Sequence, residues 1–173
     1  MKNKAFTLIE TLIAITLTTV VLTAVCGLVL TTLFANQRNT HSLQALYYAE
    51  EGLEAARFMR DSNWLQNYSW DFGTMWGGDI HTDSSDSEKT FYLVAMDCSS
   101  TEPCFQLSTD VADGTIETPE GFAFVRSLTY KFLDSSEVAV SGKGAVEVIS
   151  KVEWQEHGIT RNFILSTYLT AWQ

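Results

Sequence analysis

From Thr11 to Ala35 the chain runs for 25 residues without a charge or a proline. Wound as a helix, that run is about 37 Å long, more than the roughly 30 Å hydrocarbon core of a bilayer. It is long enough to span a membrane, and too long for the apolar part of a secretory signal peptide, about 7–15 residues. No Ala-x-Ala cut site follows it. Lys2 and Lys4 stand just before it, and positive charge stays on the cytoplasmic side. The expected topology is N-terminus in, with the residues beyond Ala35 outside.

Apolar sequence opens at Phe6, and Glu10 is the one charge between there and Ala35. Two readings compete. In a plain anchor the carboxylate is tolerated because it sits in the first helical turns, where the macrodipole favours negative charge. Alternatively it pairs when helices associate, since ionisable groups within membranes usually mark function.

The surroundings of Glu10 decide between them. Ala5-Phe6-Thr7-Leu8-Ile9-Glu10 behind a short basic leader resembles the class III signal of type IV prepilins and pseudopilins. That resemblance implies a cut by prepilin peptidase between Ala5 and Phe6 and methylation of the new amino group of Phe6. Ala5 stands where the family commonly has glycine. The apolar segment is then kept as an assembly helix: a single pass in the cytoplasmic membrane first, the extracytoplasmic filament afterwards. The implied partners are the peptidase and other pilin or pseudopilin subunits. The implied organisation is a leader at 1–5, a membrane and assembly helix at 6–35, and an extracytoplasmic globular part at 36–173.

The resemblance also gives Glu10 a purpose. After cleavage Phe6 carries a free ammonium one helical turn before Glu10, and a neighbouring subunit's ammonium neutralises the carboxylate. Breaking such a buried pair costs around 3–5 kcal/mol, enough to hold register during assembly. Gly27, mid-run, is read either as a weak point of the helix or as a place for close helix packing.

Beyond Ala35 there are 9 Lys and Arg against 20 Asp and Glu, a net charge of −11. Nucleic acid and anionic lipid both need a basic face, so neither is an expected partner of this part. Leu46, Ala49, Leu53 and Ala56 recur at helical spacing, which carries the helix to about Arg60 with an apolar stripe. Glu54 and Arg57 fall at i,i+3 on it. The stretch Ala49 to Arg57, Ala-Glu-Glu-Gly-Leu-Glu-Ala-Ala-Arg, and the ending Tyr168 to Trp172 also resemble minor pilins and minor pseudopilins.

Residues 61–88 lose periodicity and read as a long loop, which in a compact domain tends to be functional. Its aromatics, Trp64, Tyr68, Trp70, Phe72 and Trp76, are expected to fasten it to the sheet instead of binding sugar or a partner. Asp79, His81, Asp83 and Asp86 are a candidate cation cluster, but their spacing misses the EF-hand pattern and a solvated acidic loop is the better reading. Cys98 and Cys104 flank a turn-rich interval and form the candidate disulfide if the domain lies in an oxidising compartment. Many major pilins close a large C-terminal region with theirs, so this tight loop departs from that pattern. Cys26 reads as a small packed hydrophobe.

Strands are expected at Thr90–Met96, Phe105–Ser108, Phe122–Phe132, Val146–Trp154 and Ile159–Leu169, with Arg126 interrupting the apolar face of the third and His157-Gly158 turning the last hairpin. The fold class is α+β: a long N-terminal helix, membrane-spanning first and amphipathic afterwards, packed on an antiparallel sheet of about four strands. This is the pilin roll that the resemblance implies. Catalysis is not expected: His41, His81 and His157 are scattered, and neither Gly-x-Ser-x-Gly nor His-Glu-x-x-His occurs. Gly142-Lys143-Gly144 is a turn, not a phosphate loop. No cofactor or metal is expected. The function expected is a structural subunit of a type IV pilus, minor pilin-like. A pseudopilin of a type II secretion or DNA-uptake machine stands next, and a signal-anchored enzyme last.

Overall fold

The computed structural model describes residues 7–66, 88–95, 105–133 and 145–170. The chain divides into two compact units, Met1–Ser42 and Leu43–Gln173. One helix, α1 (Leu8–Leu65), supplies the described part of the first unit after Thr7 and the opening of the second.

Nothing in the composition of α1 stops it. Its 58 residues contain no proline and two glycines, Gly27 and Gly52. The Thr7 carbonyl starts the ladder, accepting the N–H of Glu10 at 3.0 Å and that of Thr11 at 3.3 Å. The helix runs one turn beyond the expected end near Arg60. The cause is its inner face: Met59 is followed four residues later by Asn63, which is 2% exposed. The Gln66 N–H then closes the last turn on the carbonyls of Ser62 and Asn63, each at 3.2 Å.

The second unit is an antiparallel sheet packed on the C-terminal part of α1. Its strands are β1 (Glu88–Ala95), β2 (Phe105–Ser108), β3 (Thr115–Glu117), β4 (Ala123–Leu133), β5 (Ala145–Glu156) and β6 (Ile159–Thr170). They lie in the order β2-β1-β4-β5-β6, and β3 pairs with β4 beside β1. The sheet therefore has six strands where about four were expected, and five of the six fall on segments read as strands from sequence. The strand that sequence alone does not show is β3, three residues with a single half-buried side chain, Ile116. It is led in by one turn of 3-10 helix, Val111–Gly114, capped by the Asp110 side chain on Ala112 N–H at 2.9 Å.

Register follows from burial. In β4 and β5 the even-numbered residues face α1: Phe124, Arg126, Leu128 and Tyr130, then Val146, Val148, Ser150, Val152 and Trp154. A one-residue slip would turn all of them outward. The β5–β6 hairpin turns on His157 (φ 51°) and Gly158 (φ 78°), two successive left-handed residues that suit a two-residue hairpin loop.

Helix and sheet meet through small side chains. The buried face of α1 is Ala45, Ala49, Gly52, Leu53, Ala55, Ala56, Met59 and Asn63, so its centre runs through Ala45, whereas Leu46, assigned to the stripe from sequence, is only half-buried. Two apolar clusters result. One gathers Leu53, Met59, Phe91, Leu93, Leu128 and Val148; the other gathers Ala45, Ala49, Phe124, Val152 and Trp154. Between them the contact is closest: a Cβ on Gly52 would lie 2.5 Å from Ser150 Oγ and 3.1 Å from a Leu128 methyl. Arg126 fills this seam at 1% exposure and donates to Glu51 at 2.8 Å and to the Tyr48 carbonyl at 3.3 Å. At the far end Arg57 pairs with Glu54, the i,i+3 contact read from sequence, and also reaches Thr167 on β6 at 3.2 Å.

These contacts make two predictions. Gly52→Ala, although helix propensity favours alanine by about 1 kcal/mol, should lower the melting temperature because the methyl collides with Ser150; adding Ser150→Ala should recover most of the loss. Equal melting temperatures for Gly52→Ala and the native chain would refute the close approach. Burial also pushes the Tyr130 hydroxyl above its ordinary range. Its stabilising share is complete below about pH 10, where the unfolded tyrosine is neutral too, and is lost as pH rises further. Denaturant titrations between about pH 10 and 12 should therefore show a shallower fall in stability for Tyr130→Phe.

Candidate functional site

The first unit carries the features that sequence marked as functional. Between Leu8 and Asn39 every residue of α1 is exposed, including Leu8 at 81%, Ile9 at 68%, Val20 at 66% and Leu28 at 69%. An apolar surface on all sides of a helix is stable only in lipid or among other apolar helices. The helix is long and apolar enough to cross a membrane. Glu10 lies in its first turn, exposed. Ala5 and Phe6, the expected cleavage pair, lie outside the described residues.

The threonines of this segment are a feature that the apolar count passed over. Thr11, Thr16, Thr18, Thr19, Thr23, Thr31 and Thr32 each donate their hydroxyl to a carbonyl three or four residues earlier, at 2.7 to 3.0 Å. In hydrocarbon an unmatched polar group costs several kcal/mol, so this local bonding removes the penalty that seven hydroxyls would otherwise bring. The signal was in the sequence, because a helical threonine always has such a carbonyl within reach. Gly27 has open space around the position a Cβ would take, so no contact among the described residues demands a glycine there. Cys26 is exposed on the same helix and unpaired.

Other candidates separate. Trp64, assigned to the loop from sequence, stands on the last turn of α1 at 59% exposure. Tyr68, Trp70, Phe72, Trp76, the cluster Asp79, His81, Asp83 and Asp86, both Cys98 and Cys104, and Gly142 to Gly144 lie outside the described residues. His41 is half-buried on α1, and His157 is in the β5–β6 turn. Among the described residues no three His, Cys, Asp or Glu side chains gather as a metal site. A groove of about 560 Å³ is lined by Tyr92, Val125, Glu153, Trp154 and Thr160, among others. Its one carboxylate, Glu153, is already paired with Lys151 at 2.9 Å, and its lining holds no histidine, cysteine or serine.

Comparison with known proteins bears on the N-terminus. Residues 1–25 match the family described as the prokaryotic N-terminal methylation motif. The chain thus carries a class III signal, consistent with the type IV pilins and pseudopilins, at the head of an apolar helix that leads into an α+β domain. No curated protein and no solved structure matches the chain.

The local bonding of the threonines is testable. Replacing Thr16, Thr19 and Thr23 together by valine should leave the protein resistant to alkaline carbonate extraction from membranes. Release of the triple variant would show that those hydroxyls need partners beyond their own helix.

Proposed function

We propose that this chain is a type IV pilin-like structural subunit, minor pilin-like, cut between Ala5 and Phe6, methylated on Phe6, and assembled through its N-terminal helix. One observation carries the reading: the methylation motif at residues 1–25 heads a helix whose apolar surface is exposed on every side. A secretory signal would be discarded, and a plain anchor has no use for Glu10. An assembly segment uses both. In the membrane the helix is satisfied by lipid; in a filament the same surface is satisfied by other helices. Transfer between the two needs little rearrangement, because both environments are apolar and the backbone and threonine hydroxyls are satisfied within the helix.

Glu10 supplies direction. Apolar packing alone is tolerant of sliding, and one helical turn is only about 5.4 Å. A carboxylate that must meet the Phe6 ammonium of a neighbour makes one register preferable, since a slip leaves a charge unpaired in apolar surroundings. The acidic outer domain, with Cys98 and Cys104 proposed as its disulfide, is then the part displayed outside the cell membrane. The same N-terminal chemistry serves pseudopilins of secretion and DNA-uptake machines.

Mass spectrometry of the membrane-extracted protein, expressed with a prepilin peptidase, should give a chain beginning at methylated Phe6; an intact Met1 would overturn the proposal. Glu10→Lys should insert in the membrane yet fail to enter sheared filaments. Normal incorporation of that variant would remove the pairing role of Glu10.

A further inference from the structure

Strand β6 ends the sheet, and its outer edge has no partner strand among the described residues. An unpaired edge is a row of open N–H and C=O groups, and folded proteins guard it with a short strand, lysine, proline or a bulge. The opposite edge follows that rule, because β2 is four residues long. β6 does not. It runs for twelve residues, Ile159–Thr170, in unbroken register with β5 and without proline or lysine. Its one charge, Arg161, is held by Glu156. On the α1 side Phe163 and Leu165 are only half-buried, whereas Val152 and Ser150 beside them on β5 are 0% exposed. On the other side Ile164 is 53% exposed. An edge of this kind is built to accept one more strand.

The matching strand lies at the other end of the same sheet. Four antiparallel steps separate β2 from β6, so the two outer strands run in one direction. One row of partners crosses the sheet from Ser108 through Tyr92, Ser127 and Lys151 to Ile164. Copies anchored in one membrane point the same way, and a second copy set beside the first therefore offers β2 to β6 as a parallel strand. Antiparallel pairing of β6 with β6 would use a two-fold axis normal to the sheet, which turns α1 end for end; a shared membrane forbids it. Raising the second copy by two residues, about 6.6 Å along the strand, keeps each side chain on its own face. Phe105 then lies beside Phe163 and Leu107 beside Leu165 on the α1 side, with Gln106 beside Ile164 and Ser108 beside Ser166 on the other. β2 carries no charge, so the two edges are neutral meeting places on a part of net charge −11. We propose that β6 pairs in parallel with β2 of a second copy, Phe105 level with Phe163. The contact is head-to-tail, and a rise at each step makes an open helical array instead of a closed ring. The inference deepens the pilin-like reading and rests on it, because the shared membrane gives the copies one direction.

Photo-cross-linking tests the pairing. The full-length protein with Ser166→p-benzoylphenylalanine is expressed, its membranes are irradiated, and linked peptides are read by mass spectrometry. The expected product is a ladder of dimer, trimer and higher forms, with Ser166 joined to the segment Phe105–Ser108. Within one chain those strands are about 19 Å apart across the sheet, so such a link comes from a second copy. Adding Gln106→Glu with Ile164→Glu, both at exposed positions, sets like charges opposite each other and should lower the yield about threefold. Gln106→Glu with Ile164→Lys should restore it, which a folding defect would not do. A link from β6 to β6, a link to another protein alone, or no link would overturn the proposal, as would equal yields for the like-charge and opposite-charge variants. N-terminal processing is read on the same samples. The ladder with an uncut leader would count against the pilin-like function and leave the strand contact standing; a methylated Phe6 without the ladder would do the reverse.

Discussion

The close approach of α1 to the sheet at Gly52 is the constraint on which the second unit depends. Ser150 Oγ occupies space that any larger residue on the helix would claim. Only small side chains, Ala45, Ala49, Gly52 and Ala56, let the helix come down onto the strands. That approach allows Phe124 and Trp154 to pack with ring centres 5.9 Å apart under one end of the helix. Under the other end it allows Phe91 and Tyr130 to meet at 6.0 Å. Interiors are packed as densely as organic crystals, so a methyl at the point of closest contact is felt by both clusters.

Arg126 works through the same closeness. A guanidinium at 1% exposure is expensive to desolvate, and a buried ion pair is weak evidence for added stability. Its partners nevertheless come from one helical turn, Glu51 and the Tyr48 carbonyl. Apolar residues alternate along β4 on both sides of it, so hydrophobic pattern alone would accept a shift of two residues. Arg126 makes that shift costly. It ties one strand to one turn of one helix.

The two halves of α1 obey different rules. After Leu43 the helix has an inner face matched to a sheet, with Glu50, Glu51 and Glu54 turned outward. From Leu8 to Asn39 every residue is exposed, and the threonine hydroxyls bond to their own backbone. The first half is fitted to an environment that the chain does not itself supply, whether lipid or other helices. The proposed subunit role rests on that fit: a segment already satisfied along its length can change surroundings, and in that proposal the pairing of Glu10 with a neighbour's Phe6 ammonium sets the register.

Legibility in the sequence followed the range of the interactions. The anchor helix, the N-terminal signal, the β5 and β6 strands and the His157-Gly158 turn were all readable, because period, charge and turn chemistry are local properties of the chain. The extension of α1 to Leu65, the centring of its buried face on Ala45, and strand β3 were not, because each exists only where a distant segment packs against it. Arg126 shows the boundary best. Sequence marked it as an interruption of an apolar face, and that was correct as far as period goes. Only the folded arrangement, which brings Glu51 and Tyr48 within hydrogen-bond reach, turns the interruption into the seam between two cores. Sequence by itself determined where the chain meets apolar surroundings and how its N-terminus is marked, since those depend on composition and spacing alone. Tertiary structure decided which small residues touch and which charges are spent inside the domain. It thereby committed Glu51 to Arg126 within the domain.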